Sequence, residues 1–167
     1  MSAFTDTLVS NKKSELLTDE YDYWKDLIGE WEFEYISGHG TEKERHVEGE
    51  WIFERVLEGI GIQDMFICPS RKTREENPQP DAEYGVTLRM FNPSTKMWDM
   101  VYTCCGQMER FVGTKEDGKI VLTNLDNPSR KWAFVEISKT KFHWQNITVL
   151  PNKSWKINSD IYAVKKS

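Results

Sequence analysis

The 167-residue sequence predicts an all-β protein, an antiparallel up-and-down barrel of about ten strands with a short N-terminal helix. The first observation is an alternation: from Trp31 to Tyr35 every second residue is aromatic, with glutamates between them. A period of two is typical of a strand with one buried face. The second observation is that similar runs recur between short turns, which join antiparallel neighbours. A long meander of this kind buries its aromatic faces by closing on itself.

The segment before the first strand divides into two parts. Residues 1–10 show no periodicity, and we expect them to form a flexible arm. Apolar residues then recur at helical spacing, which predicts a short amphipathic helix over about 14–28 that ends at Gly29. Residues 11–167 are therefore predicted to be a single barrel domain preceded by this helix.

Turn residues set the boundaries of the strands that follow. The connections at 92–95, 116–119, 126–129 and 151–153 are short and rich in residues that accept or preset turn geometry. The long connection, 69–83, holds three prolines among charged residues and is predicted to be a solvated mobile loop, the alternative being a flap at the barrel mouth. The predicted strands are 30–37, 45–56, 60–68, 84–92, 97–105, 107–114, 119–125, 130–138, 141–149 and 154–165.

The composition limits which partners the protein is expected to bind and in which cellular compartment we expect it. The net charge of -5 argues against the basic stripe that nucleic-acid-binding proteins carry. Residues 1–16 hold no continuous apolar run, so we expect neither a secretion signal nor a membrane-spanning segment. The odd set Cys68, Cys104 and Cys105 fits reduced thiols, and we expect a cytoplasmic protein. The cysteine and histidine spacings do not predict a structural metal site.

The triplet Gly29-Glu30-Trp31, placed at the start of the first strand after a short helix, resembles the hallmark of lipocalins and the wider calycin group. Later phrases at 49–51, 84–89, 92–93 and 131–134 are similar to those of uncharacterised bacterial proteins with a calycin-like barrel. The resemblance covers nearly the whole chain from the triplet onward. It implies a ligand-binding barrel and carries no specific ligand with it.

Three features depart from the lipocalin pattern. Lipocalins carry an arginine on the last strand that covers the first-strand tryptophan, whereas the candidates here are Lys165 and Lys166, which lack the planar fork. Lipocalins also usually carry a secretion signal, which we do not expect in residues 1–16 of this sequence. Ten strands are closer to the fatty-acid-binding branch or to ten-stranded haem barrels than to the eight strands of lipocalins.

Tryptophans on several predicted strands indicate the walls of a cavity. Large aromatic side chains fill a barrel core by default, and their number here also suits a flat or hydrophobic ligand. We therefore expect the protein to bind a small hydrophobic or amphipathic molecule inside the barrel, without a metal. The predicted walls are Trp51, Phe53, Trp98, Trp132 and Trp144.

Two arginines and a tyrosine are candidate polar anchors. Arg55 shares the parity of Trp51 and Phe53, and its guanidinium suits a carboxylate or phosphate. The alternative places Arg55 near the rim, where it pairs outward with a surface carboxylate. Arg89 lies on a strand in which neither face is plainly the outer one. With Tyr102 as a third member, the set would resemble the carboxylate clamp of fatty-acid-binding proteins, so the expected ligands include anionic ones.

An enzyme that uses the same cavity is the alternative hypothesis, whether an isomerase, a cyclase or a hydrolase. Its candidate acid–base groups are Asp64, Glu136 and His143, because a carboxyl group against apolar walls has a raised pKa. Glu136 shares the parity of Trp132 and Phe134, and this parity would place an acid inside the barrel. Strand ends, bulges or pairing with arginines would explain these residues equally well.

His143 also supports a third hypothesis, a haem-binding barrel. A ten-stranded haem barrel needs one histidine as the axial ligand of the iron, and His143 lies beside Trp144 on a late strand. The expected oligomeric state is a monomer or a homodimer; outward apolar residues such as Ile52 support the dimer.

Overall fold

The computed structural model describes residues 2–167 and shows a closed barrel of ten antiparallel strands. Each strand pairs with its neighbours in the chain, and the tenth returns to pair with the first. The predicted up-and-down barrel with a short N-terminal helix is confirmed. No helix within the described range is long and apolar enough to span a membrane. The strands are β1 (Gly29–Ser37), β2 (Arg45–Val56), β3 (Gly61–Cys68), β4 (Glu83–Asn92), β5 (Met97–Cys104), β6 (Gln107–Glu116), β7 (Lys119–Asn124), β8 (Arg130–Ile137), β9 (Lys141–Val149) and β10 (Trp155–Lys165).

The short helix lies nearer to the N-terminus than predicted. Helix α1 spans Ala3–Leu8, within the segment that the sequence predicts to be an arm. Beyond it, Val9 forms an antiparallel bridge with Val56 at the end of β2. Met1, the first residue of the predicted arm, lies outside the described residues.

The prediction of a helix over 14–28 is wrong. This segment holds two 3-10 turns, at Asp19–Tyr21 and Lys25–Leu27, joined by irregular backbone. The carbonyl of the last residue in each turn accepts a hydrogen bond from an indole N–H of the barrel, Trp98 at 3.0 Å and Trp31 at 2.6 Å respectively. Tertiary partners therefore take backbone acceptors that a longer helix would use internally.

Residues 14–28 close one end of the barrel, and we call this segment the plug. Its side chains Leu17, Trp24 and Leu27 are completely buried. The Trp24 ring lies edge-on to Trp98 and to Phe134, with centroids 6.1 and 5.5 Å away. Edge-to-face packing of this kind stabilises aromatic clusters beyond the area that they bury. The cavity opens at the opposite end, which we call the mouth.

Trp31, the last residue of the Gly29-Glu30-Trp31 triplet, is also fully buried. Its ring packs against Phe142 with centroids 4.8 Å apart. The ammonium of Lys165, on β10, lies 5.3 Å from the Trp31 ring centroid. A lysine on the last strand thus covers this tryptophan through a cation–π contact rather than a stacked guanidinium.

A bulge in β8 changes which side chains face the interior. The pairing of β8 with β9 shifts between Phe134 and Glu136. Phe134 is buried in the barrel, whereas Glu136 is exposed. Because one extra residue reverses the alternation, two residues that share parity in the sequence lie on opposite faces.

Candidate functional site

The barrel encloses a cavity of about 150 Å³ that extends from the mouth toward the plug. Aromatic side chains make up most of its wall, and charged side chains surround its opening. A cavity of about 150 Å³ is large enough for a benzene ring. The aromatic residues of the wall are Tyr35, Trp51, Phe66, Tyr102, Trp132, Phe134 and Trp144.

Trp132 lies at the centre of the aromatic wall. One face of its ring stacks on Phe111, with centroids 4.1 Å apart. Tyr102 packs edge-on against it at 5.5 Å, and Trp144 lies 5.8 Å away. Trp144 in turn contacts Trp51 at 6.1 Å. Because each ring holds its neighbour, the wall is a packed, preformed apolar surface.

Arg89, on β4, lies at the floor of the cavity. Its side chain is only 2% exposed, and its Nη2 lies 2.6 Å from Oδ2 of Asp64. The guanidinium also lies over the rings of Trp24 and Phe53, 4.7 and 5.4 Å from their centroids. Its Nε and Nη1 have no hydrogen-bond partner among the described residues. A buried donor without a partner is costly, so an acceptor that reached these nitrogens would gain a hydrogen bond that the protein does not supply.

Ion pairs form the rim of the mouth. Arg45 donates to both carboxylate oxygens of Asp81, at 2.8 and 2.6 Å, and to Gln79 at 3.1 Å. On the other side, Arg130 pairs with Glu109. Since Gln79 and Asp81 belong to the long connection between β3 and β4, that connection lies at the mouth and is tied to β2. The loop therefore lies where the sequence analysis placed a possible flap. That the loop is mobile stays a prediction.

Glu83 and Tyr102 form a separate pair beneath the rim. The Tyr102 hydroxyl donates to the Glu83 carboxylate. Burial raises the pKa of Glu83, and the charges of Asp81 and Glu109 raise it further, against the opposing effect of the Tyr102 hydrogen bond. Burial, followed by the hydrogen bond to Glu83, also raises the pKa of Tyr102, so the tyrosine stays a donor.

Gly85 makes this pair possible. A Cβ atom at Gly85 would lie 2.7 Å from the Tyr102 hydroxyl and 2.8 to 2.9 Å from atoms of its ring. Without a side chain at this position, the ring lies across β4 and its hydroxyl reaches Glu83. The glycine is thus required by close approach to an aromatic ring.

Five of the eight predicted ligand-binding residues line the cavity, and three do not. Phe53 lies beneath the floor, stacked on Trp51 at 5.2 Å. Trp98 is buried against the plug. Arg55 donates through Nη2 to both oxygens of Asp22 in the plug, at 3.0 and 2.9 Å. The residues that line the cavity are Trp51, Arg89, Tyr102, Trp132 and Trp144.

The proposed acid–base residues do not meet in the cavity. Asp64 is buried but engaged, since it pairs with Arg89 and its Oδ1 accepts a hydrogen bond from the Thr87 amide at 3.2 Å. Glu136 lies outside, because the bulge in β8 turns it away from the interior.

Among the three cysteines, Cys68 lines the cavity, and burial raises its pKa to about 12, which keeps its thiol protonated.

The histidines also lie outside the cavity. His143 faces outward from β9: its Nε2 lies 2.5 Å from Asp160 and its ring stacks on the half-exposed Tyr162 at 4.3 Å. His39 hydrogen-bonds to the same aspartate, and His46 pairs with surface glutamates. The structure therefore brings no imidazole of residues 2–167 to the cavity, which removes the axial ligand on which the haem hypothesis depends. The cavity volume of about 150 Å³ is also smaller than the volume of a porphyrin.

Sequence reasoning missed the rim and Glu83. The rim residues Arg45 and Asp81 come from a strand end and a long loop, where periodicity gives little information. One signal was available: Arg45 shares the parity of Val47 and Trp51, both of which face inward. Glu83 was not singled out, because the first residue of β4 lay outside the predicted strand.

Comparison with known proteins identifies the fold. No family model matches the chain, and no curated protein matches it. Among solved structures, the chain is similar to Rv2717c from M. tuberculosis, with 10% sequence identity and a TM-score of 0.61. The match covers 93% of this chain and 100% of that one. At this identity the likeness shows a shared barrel fold alone.

Proposed function

We propose that the protein binds a small amphipathic molecule, about the size of one substituted aromatic ring, inside the barrel. The observation that carries this proposal is Arg89, a buried guanidinium with two unpartnered nitrogens at the floor of an aromatic cavity. The apolar part of the ligand packs against Trp51, Trp132 and Trp144. A hydrogen-bond acceptor on it, such as a hydroxyl, carbonyl or carboxylate oxygen, meets Arg89.

The preformed aromatic wall favours a ligand-binding role for these side chains over a purely structural role in the core. A pocket with a few polar anchors among apolar side chains is the common form of a small-molecule site. The resemblance to calycin-like barrels points the same way, and membership of that group is part of this proposal. Since all three cysteines are free thiols, we propose that binding takes place in the cytoplasm.

A matched pair of ligands tests the role of Arg89. Propylbenzene and 2-phenylethanol have nearly the same shape, but only the alcohol carries an acceptor. Titration followed by tryptophan fluorescence reports binding directly, because three tryptophans line the cavity. We expect the alcohol to bind about ten-fold more tightly than the hydrocarbon, which corresponds to one hydrogen bond from a charged donor.

Two double variants locate the effect. Arg89→Met with Asp64→Asn removes the buried pair at the floor, and Arg55→Met with Asp22→Asn removes a similar buried pair in the plug. Only the first is expected to abolish the preference for the alcohol. Failure of both compounds to bind the wild-type protein, or an equal loss in both variants, would contradict the proposal.

A further inference from the structure

The charges around the cavity are balanced by pairs, with one exception. Arg45, Arg89 and Arg130 each have a carboxylate partner. Glu83 has none: no lysine, arginine or histidine nitrogen of residues 2–167 lies within 4.0 Å of its carboxylate oxygens. When Glu83 is ionised, its carboxylate therefore carries a negative charge without an ion-pair partner.

The surroundings of Glu83 are aromatic. Tyr102 donates to its carboxylate, and Trp132 packs edge-on against Tyr102 at 5.5 Å. One face of Trp132 is covered by Phe111 at 4.1 Å, while Trp132 itself also lines the cavity. A partly buried carboxylate without an ion-pair partner, in a cavity lined by aromatic rings, attracts a cation, because the carboxylate pairs with it and the rings contribute cation–π contacts.

The same region disfavours an anion. Arg74 donates to the backbone carbonyls of Pro69 and Glu83, at 2.8 and 2.9 Å. The guanidinium groups of the rim, Arg45 and Arg130, are already held by Asp81 and Glu109. A carboxylate at this level would face Glu83 and both of those acids, and would have to displace an existing ion pair. Like charges at close range repel strongly in a partly buried site.

We infer that the ligand carries an ammonium group, which binds between the Glu83 carboxylate and the aromatic side chains of Tyr102 and Trp132. The inference rests on the proposed function and names the ligand class, a ring-sized aromatic amine. Its ammonium lies toward the mouth, while its ring and any acceptor oxygen lie toward Arg89. Burying an ammonium is costly unless it is paired, and Glu83 supplies the partner.

The test adds a third compound to the matched pair of ligands. In 2-phenylethylamine an ammonium replaces the hydroxyl of 2-phenylethanol. We expect the wild-type protein to bind the amine at least about ten-fold more tightly than the alcohol, as a partly desolvated cation–π and ion-pair contact predicts. Glu83→Gln keeps the shape and an acceptor for Tyr102, and it should bring the ratio of amine affinity to alcohol affinity down to about one.

Glu54→Gln is the matched control. It makes the same change of charge on the exposed outer face of β2, so it should leave the preference for the amine intact. If the wild-type protein binds the amine no better than the alcohol, or if Glu83→Gln keeps the preference, the inference is wrong and the proposed function stands. If none of the three compounds binds, the proposed function fails as well. The wild-type comparison is decisive even if Glu83→Gln does not fold.

Discussion

Two buried arginine–aspartate pairs in this protein have similar chemistry and different positions. Arg55 and Asp22 join the end of β2 to the plug, and their side chains are 9% and 6% exposed. Arg89 and Asp64 join β4 to β3 at the cavity floor, at 2% and 0%. Only the second pair leaves guanidinium nitrogens without partners next to a cavity. The first is explained by architecture, whereas the second has donors to offer a ligand.

The first prediction concerns the stability of the floor pair. Asp64→Ala removes the partner of a buried guanidinium, so we expect the free energy of unfolding to fall by about 3 kcal/mol. Urea denaturation followed by tryptophan fluorescence measures this change. Adding Arg89→Met to Asp64→Ala should recover part of the loss, because no unpaired charge then remains. A loss below about 1 kcal/mol for the single variant would show that Arg89 is stabilised without Asp64.

The second prediction concerns the pH dependence contributed by Glu83. Its pKa is raised in the folded protein by burial and by Asp81 and Glu109, against the Tyr102 hydrogen bond. Below the unfolded-state pKa of about 4.3 the carboxyl is protonated in both states. As the pH rises through the folded-state pKa, ionisation in the folded protein costs stability.

Glu83→Gln should therefore match the wild-type melting temperature near pH 4 and exceed it at pH 8. Thermal unfolding at both pH values measures the difference. A variant that is less stable than the wild type at pH 8 would mean that the Tyr102 hydrogen bond to an ionised Glu83 outweighs the cost of burial.

At the scale of elements, the strands follow from the sequence and the plug does not. All ten predicted strands occur, with ends within two residues, because alternation and turn residues act locally. The plug has apolar residues at helical spacing, but its backbone acceptors bind Trp98 and Trp31, which are distant in the sequence. The bulge in β8 likewise arises from pairing between strands. Parity alone therefore placed Glu136 on the wrong face.

The third prediction concerns the contact between β4 and β5 at Gly85. Gly85→Ala places a Cβ atom within 3 Å of the Tyr102 ring, so the ring must shift into the cavity and lose its bond to Glu83. We expect a loss of stability of about 1–3 kcal/mol, typical of overpacking. The loss should largely disappear in a Tyr102→Ala background. An equal cost in both backgrounds would attribute the effect to the backbone of β4 instead.

At the scale of the whole molecule, the plug covers one end of the closed barrel, and the cavity lies toward the other. Inward side chains of most strands meet in the cavity. Residues far apart in the sequence, such as Trp51 and Trp144, therefore become neighbours. The aromatic wall could be predicted because large inward residues recur on each strand. The rim could not, since its ion pairs depend on where a long loop lies.

The fourth prediction is that ligand binding stabilises the whole barrel. A ligand that binds only the folded state at 100 times its dissociation constant adds about 2.7 kcal/mol. For a domain of this size the melting temperature should rise by about 5–11 °C. Differential scanning fluorimetry with 2-phenylethylamine measures the shift. Destabilisation, or an unchanged melting temperature at saturation, would mean that the amine binds the unfolded chain at least as well as the folded barrel.

Pairing of the first strand with the tenth also determines when the protein can fold during synthesis. Trp31 pairs with Lys165, 134 positions later. At about 5–20 residues per second, a ribosome needs roughly 7–27 s to make the partner of a strand that it has already released. During that interval an unpaired edge of β1 is open to other nascent chains. The edge of β1 that pairs with β10 is therefore the strand edge that waits longest for its partner during synthesis.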